Sequence, residues 1–153
     1  MASRKRYAAG EQLHDLFHEV FALHDALSEV MDEVHERAGL RTAQCRIADA
    51  FERLGPAPVP EVDASLGVSR QFVQTVCNEL EAMGLVQFND SPRHKRSKLV
   101  SLTEKGRRTI DRAGKAEAAI IERALPDVDA AKVAGAAALL RGISGQVRTK
   151  KSQ

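Results

Sequence analysis

Residues 60–106 read PEVDASLGVSRQFVQTVCNELEAMGLVQFNDSPRHKRSKLVSLTEKG, and the fold is decided inside them. Pro60 to Leu66 forms a short helix that stops at Gly67, since glycine best tolerates a left-handed backbone. A second helix starts with Ser69, whose hydroxyl can cap the free N–H groups of the first turn. Val73, Val76, Cys77 and Leu80 recur on one face at helical spacing. Arg70, Gln71, Gln74, Thr75 and Asn78 take the other face, and all can hydrogen-bond to base edges or phosphates. Two short helices about a glycine turn, the second polar outside, predict a helix-turn-helix. Its candidate DNA-binding residues are Ser69, Arg70, Gln71, Gln74, Thr75 and Asn78.

Downstream, Gly84 ends the second helix and Leu85–Phe88 reads as a strand. A polar loop, Asn89 to Arg96, leads to a second strand, Lys98 to Leu102, and carries Arg93, His94, Lys95 and Arg96 near its tip. A helix-turn-helix followed by a hairpin with a cationic tip is a winged helix. Arg93, Lys95, Arg96 and Lys98 are its candidate wing contacts. Cations of this kind add affinity and salt dependence through phosphates without selecting sequence.

The strings V-S-R-Q-x-V (Val68–Val73), L-E-A-M-G-L-V (Leu80–Val86) and R-x-K-L-V-x-L-T-E-K-G (Arg96–Gly106) carry a resemblance. They resemble the MarR (multiple antibiotic resistance regulator) family of bacterial winged-helix transcription factors, closely over the middle third and elsewhere only as helices of suitable length. The resemblance implies a homodimer joined by its terminal helices, with two winged lobes and Arg96 reaching a minor groove, where negative potential is focused in A·T tracts. It also implies a small phenolic or otherwise anionic effector, bound between bundle and lobe against the first, second and fifth helices, that releases DNA. His24, Arg41 and Arg46 are the candidate ligand-binding residues. Two regions, the wing and the recognition helix, depart from the family pattern. His94 stands where an aspartate usually orients the wing arginine, and Thr75 and Glu79 stand where the recognition helix often has arginine. Glu79 would repel phosphate if it faced DNA, so weaker or differently specified binding is expected.

The remaining sequence supports this reading. A chain of 153 residues with 43% apolar content allows one domain of ordinary size with a real core. The net charge of +2 points to no partner by itself, but acids dominate residues 11–63 and cations dominate residues 93–112. Such asymmetry suits one surface on a polyanion. Residues 11–37 read as one long helix, with Leu13, Leu16, Phe17, Val20, Phe21, Leu27, Val30, Met31 and Val34 as its apolar stripe. At about 1.5 Å per residue it spans some 40 Å, more than a winged lobe can cover. Thr42 is expected to cap a second helix to Leu54, with Ile47, Ala50, Phe51 and Leu54 inward, before a stiff connector, Gly55-Pro56-Ala57-Pro58. Pro60 follows, where a first helical residue tolerates proline. Thr103 caps a helix to about Leu125, and after Pro126, Asp127 starts an alanine-rich helix to about Val147.

The expected fold is therefore mainly α with a small β-hairpin: a winged helix-turn-helix lobe plus long N- and C-terminal helices forming a dimerisation bundle. Residues 10–40 form the N-terminal dimerisation helix, 41–106 the DNA-binding lobe and 103–148 the C-terminal bundle helices, with 1–9 and 149–153 as flexible tails. In a two-fold dimer the recognition helices enter successive major grooves about 34 Å apart, so the operator should be palindromic.

Other chemistry finds little footing. No nucleophile elbow, phosphate-binding glycine loop or HExxH stands in the chain, so neither an enzyme nor a cofactor is expected. His14 and His18 lie one helical turn apart and are the candidate metal ligands, but a third strong ligand is missing and no resident metal is expected. Cys77 belongs to the core; Cys45 is a candidate thiol sensor without a neighbouring cation to activate it. No apolar run approaches the roughly 20 residues needed to cross a bilayer, and MASRKRYAAG lacks the apolar core of a signal peptide. A cytoplasmic protein, nucleoid-associated when bound to DNA, is expected. The function that fits is sequence-specific double-stranded DNA binding, as a repressor. The alternatives are a winged-helix protein–protein assembly module and a non-specific DNA-coating protein.

Overall fold

Ser69 Oγ accepts a hydrogen bond from the Phe72 amide at 3.2 Å, and α4 (Arg70–Ala82) begins on that cap. The computed structural model describes residues 2–92 and 97–151, with side chains over 9–92 and 97–150. Upstream of α4, α3 (Val59–Leu66) ends at Gly67, where φ 68° and ψ 31° are the left-handed values that a side chain resists. The turn between them thus has the geometry that the sequence requires. Inward from α4, Val73, Val76, Cys77 and Leu80 are buried against Val62 of α3 and against Ile47, Ala48 and Phe51 of α2 (Thr42–Leu54). Ser69→Ala should cost about 1 kcal/mol, read as a lowered denaturation midpoint, because the Phe72 amide loses its partner.

The lobe's sheet has three antiparallel strands in the order β1 (Ala57–Pro58), β3 (Leu99–Leu102), β2 (Val86–Asn89). Val86 faces Leu102 and Phe88 faces Val100 across the hairpin, each strand within one residue of its expected place. Val86, Val100 and Leu102 are buried and close the core from below. The expected stiff connector is instead an edge strand: Ala57 pairs with Val100 and Pro58 with Leu99. Proline lacks the N–H for a central strand, so an edge position suits it.

The Thr103–Gly106 turn fastens α5 (Glu104–Ala124) to the wing. Thr103 Oγ1 donates to the Gly84 carbonyl at 2.7 Å and accepts from the Gly106 amide at 3.0 Å. The Thr103 amide donates to the Leu85 carbonyl at 3.0 Å. Lys105 Nζ reaches the Met83 carbonyl at 2.8 Å, placing a cation at the negative end of α4.

Other boundaries differ from expectation. α1 (Ala2–Arg37) starts at Ala2, so most of the expected N-terminal tail is helical. α2 is preceded by Arg41, not by Thr42, as its cap, and the Gln44 side chain accepts from the Arg41 amide at 2.9 Å. Thr42 points its hydroxyl at α1. Leu54, the last residue of α2, is 42% exposed and not inward. α6 (Ala130–Lys151) is capped by Asp129, whose Oδ1 accepts from the Ala131 and Lys132 amides at 2.8 and 3.3 Å; Asp127 does not start it.

The chain divides into two compact units, residues 1–117 and 118–153. In the first, Leu13, Phe17, Phe21, Leu27 and Val30 of the α1 stripe are exposed, and Val34 alone is buried. In the second, Leu125, Val128, Val133, Leu139 and Val147 are exposed. No helix of the described residues is long and apolar enough to cross a membrane.

Candidate nucleic-acid interface

The outer face of α4 presents Ser69, Arg70, Gln71, Gln74, Thr75 and Asn78, all exposed. Their local bonds orient them. Arg70 Nε is held by Asp63 Oδ2 of α3 at 3.0 Å, which leaves the guanidinium's terminal N–H groups free for an outside acceptor. Gln74 Nε2 donates to Asn78 Oδ1 at 2.9 Å, and Thr75 Oγ1 donates to the Gln71 carbonyl at 2.9 Å. Asp63 is an orienting residue that the sequence did not single out; its partner is seven positions away, across a turn. Phe72 is 43% exposed and stands among the polar residues, not inside the lobe.

Glu79 does not face outward with them. Gln44 Nε2 donates to Glu79 Oε2 at 3.0 Å, and Arg41 pairs with the same oxygen. The hydrogen bond from Gln44, then that from Arg41, hold this carboxyl below the usual carboxylate range. The repulsion expected of Glu79 is thereby drawn off toward α2.

Between α4 and the base of the wing lies an open groove of about 510 Å³. Arg70, Gln74, Asn78 and Glu81 of α4 line one side and Phe88 and Lys98 the other. Lys98 is exposed just before β3. Arg93, Lys95 and Arg96, with His94, lie outside the described residues.

A second hollow, of about 270 Å³, is walled by Met31 and His35 of α1, Cys45 and Arg46 of α2, and Ile110 and Glu117 of α5. His35 is buried there. Thr42 gives its hydroxyl proton to Asp32, so its oxygen accepts from His35 Nδ1 at 2.9 Å, while His35 Nε2 pairs with Glu117. Of the candidate ligand residues, only Arg46 lines this hollow, exposed and without an ion pair among the described residues. The other two do not line it: His24 bonds to Asp25 at 3.2 Å, and Arg41 pairs with Glu79.

Burial, then the carboxylates of Glu117 and Asp49, pushes the Cys45 thiol up to about 12. Burial alone pushes Cys77 up to about 12. The thiolate is the nucleophile, so at pH 8 iodoacetamide should leave both cysteines unmodified in the folded chain and alkylate both in denaturant, read by mass spectrometry. His14 and His18 are exposed on α1, and no cluster of three or more potential metal ligands occurs among the described residues.

Comparison with known proteins agrees with this geometry. The MarR family model matches residues 38–97. The uncharacterized protein Rv2011c of Mycobacterium tuberculosis is 33% identical over 114 residues, which cover 66% of this chain and 75% of that protein. A transcriptional regulator (MarR family) from Rhodococcus sp. RHA1 superposes with a TM-score of 0.76 at 24% identity, over 85% of this chain and 92% of that one. CouR from Rhodococcus jostii RHA1, solved bound to p-coumaroyl-CoA, superposes with a TM-score of 0.74 at 24% identity, over 84% and 91% of the two chains. At those identities the two structures speak for the shared fold.

Proposed function

The chain belongs to the MarR family, and from that premise we propose that it binds double-stranded DNA as a homodimer and represses transcription from a palindromic operator. The observation that carries the reading is the division of α4, with four apolar side chains buried and six polar positions from Ser69 to Asn78 exposed on one surface. Arg70 suits bidentate pairing with guanine, and Gln74 and Asn78 suit adenine. Lys98, with Arg93, Lys95 and Arg96 of the wing, serves phosphates and an adjoining minor groove.

Dimerisation is supported by the apolar side chains left exposed along α1 and again in residues 118–153, since soluble chains rarely leave such surface uncovered. Deleting residues 126–153 should therefore yield monomers or aggregates in sedimentation. The hollow among α1, α2 and α5 is the proposed effector site. Met31 and Ile110 suit an apolar body, and Arg46 suits a phenolic or anionic end.

Salt titration against random duplexes and duplexes selected from a random pool tests the function. A specific regulator binds its selected duplex more tightly, typically by about 10³-fold or more. Equal affinity for every duplex would make the chain a coating protein. No binding to any duplex would make the lobe an assembly module.

A further inference from the structure

The geometry points to a binding site for a divalent transition-metal ion on α1, held by the Nε2 atoms of His14 and His18. The two rings meet edge to face, with centroids 4.5 Å apart and planes at 70°, and the two Nε2 atoms lie 3.3 Å from each other. A tetrahedral ion with nitrogen ligands at about 2.0–2.1 Å holds two of them roughly 3.3–3.4 Å apart. The two nitrogens therefore lie at the separation such an ion requires, and the edge-to-face rings turn to aim both lone pairs at it.

The surroundings favour the same occupant. Asp15 Oδ1 lies 4.0 Å from His14 Nδ1. At that distance the carboxylate makes no hydrogen bond to the ring, but its negative charge favours a cation beside it. Glu11, Asp15 and Glu19 flank the pair, and no lysine or arginine occurs between Arg6 and Arg37, so a cation approaches a uniformly acidic stretch. Two imidazoles select Zn²⁺, Ni²⁺ or Cu²⁺ over Mg²⁺ and Ca²⁺, which take oxygen ligands. No third side-chain ligand joins among the described residues, so water fills the other positions. Both rings are exposed, and the ion exchanges freely. The chain's other described histidines lack this geometry: His24 is bonded to Asp25, and His35 is enclosed by Thr42 and Glu117.

Isothermal titration of the full chain with Zn²⁺, and separately with Mg²⁺, tests the site. Zn²⁺ should bind and Mg²⁺ should not. H14Q and H18Q should each weaken Zn²⁺ binding by at least roughly tenfold, the range seen when a metal site loses a supporting group. H24Q should leave it unchanged. Both substituted positions are solvent-exposed, and far-UV circular dichroism confirms that helix content is kept. Zn²⁺ should also raise the thermal midpoint of the native chain but not that of the H14Q/H18Q double variant. Unchanged Zn²⁺ affinity in H18Q, or an equal loss in H24Q, overturns the assignment.

Discussion

Gly106→Ala should destabilise the winged lobe by about 3 kcal/mol or more, the upper end of what forced overpacking costs. A Cβ at this position would lie 2.0 Å from the Leu85 carbonyl oxygen and 2.9 Å from its carbon. Both are backbone atoms, so no side chain can swing aside to make room. Relief would require α5 to lift from β2, and lifting it would break the Thr103 bonds to the Gly84 and Leu85 carbonyls. The damage therefore reaches both the wing and the C-terminal end of α4. The contrast is Gly114→Ala, further along α5. Nothing lies within 4 Å of a Cβ there, and alanine in a helix interior is favoured over glycine by roughly 0.5–1 kcal/mol. Chemical denaturation of the two variants should move the midpoint in opposite directions. Equal midpoints would show that α5 does not dock on Leu85.

The contrast between these glycines marks how far the sequence alone reaches. The L-T-E-K-G string told that a helix starts after the second strand, because a threonine cap is a local signal. It could not tell that Gly106 is pressed on Leu85, since that contact depends on where the wing returns. The recognition helix was legible for the same local reason. Val73, Val76, Cys77 and Leu80 share a face by spacing alone, and Ser69 caps its own helix. Its partners were not legible. Glu79 reads as a misplaced negative charge until Arg41 and Gln44, 38 and 35 positions earlier, are folded against it. The strand at Ala57–Pro58 was hidden because a two-residue edge exists only by virtue of β3. Thr42 was an adequate cap by type, but α1 supplies Asp32 and His35 for its hydroxyl, and the cap passes to Arg41.

Gln74→Ala and Lys98→Ala should separate the two kinds of DNA contact. Gln74 stands near the middle of the exposed face of α4 and lines the groove, with its amide nitrogen bonded to Asn78 at 2.9 Å. On the proposed reading, removing it deletes hydrogen bonds to one base edge and frees Asn78 to turn. Discrimination at a single operator position should fall by roughly 1–3 kcal/mol, while affinity for random duplexes stays as it was. Lys98 lies at the groove's other margin, at the base of the wing, and carries charge without base-reading geometry. Its removal should weaken every duplex alike and lower the slope of log affinity against log salt by about 1, one counterion's worth. If Arg96 enters a minor groove as proposed, Arg96→Ala should act more severely, since such an arginine contributes both charge and shape readout. The decisive measurement is a salt series on the selected operator and on single-base variants of it. If Gln74→Ala lowers affinity uniformly for all of them, that side chain touches backbone, and α4 does not lie along the floor of a major groove.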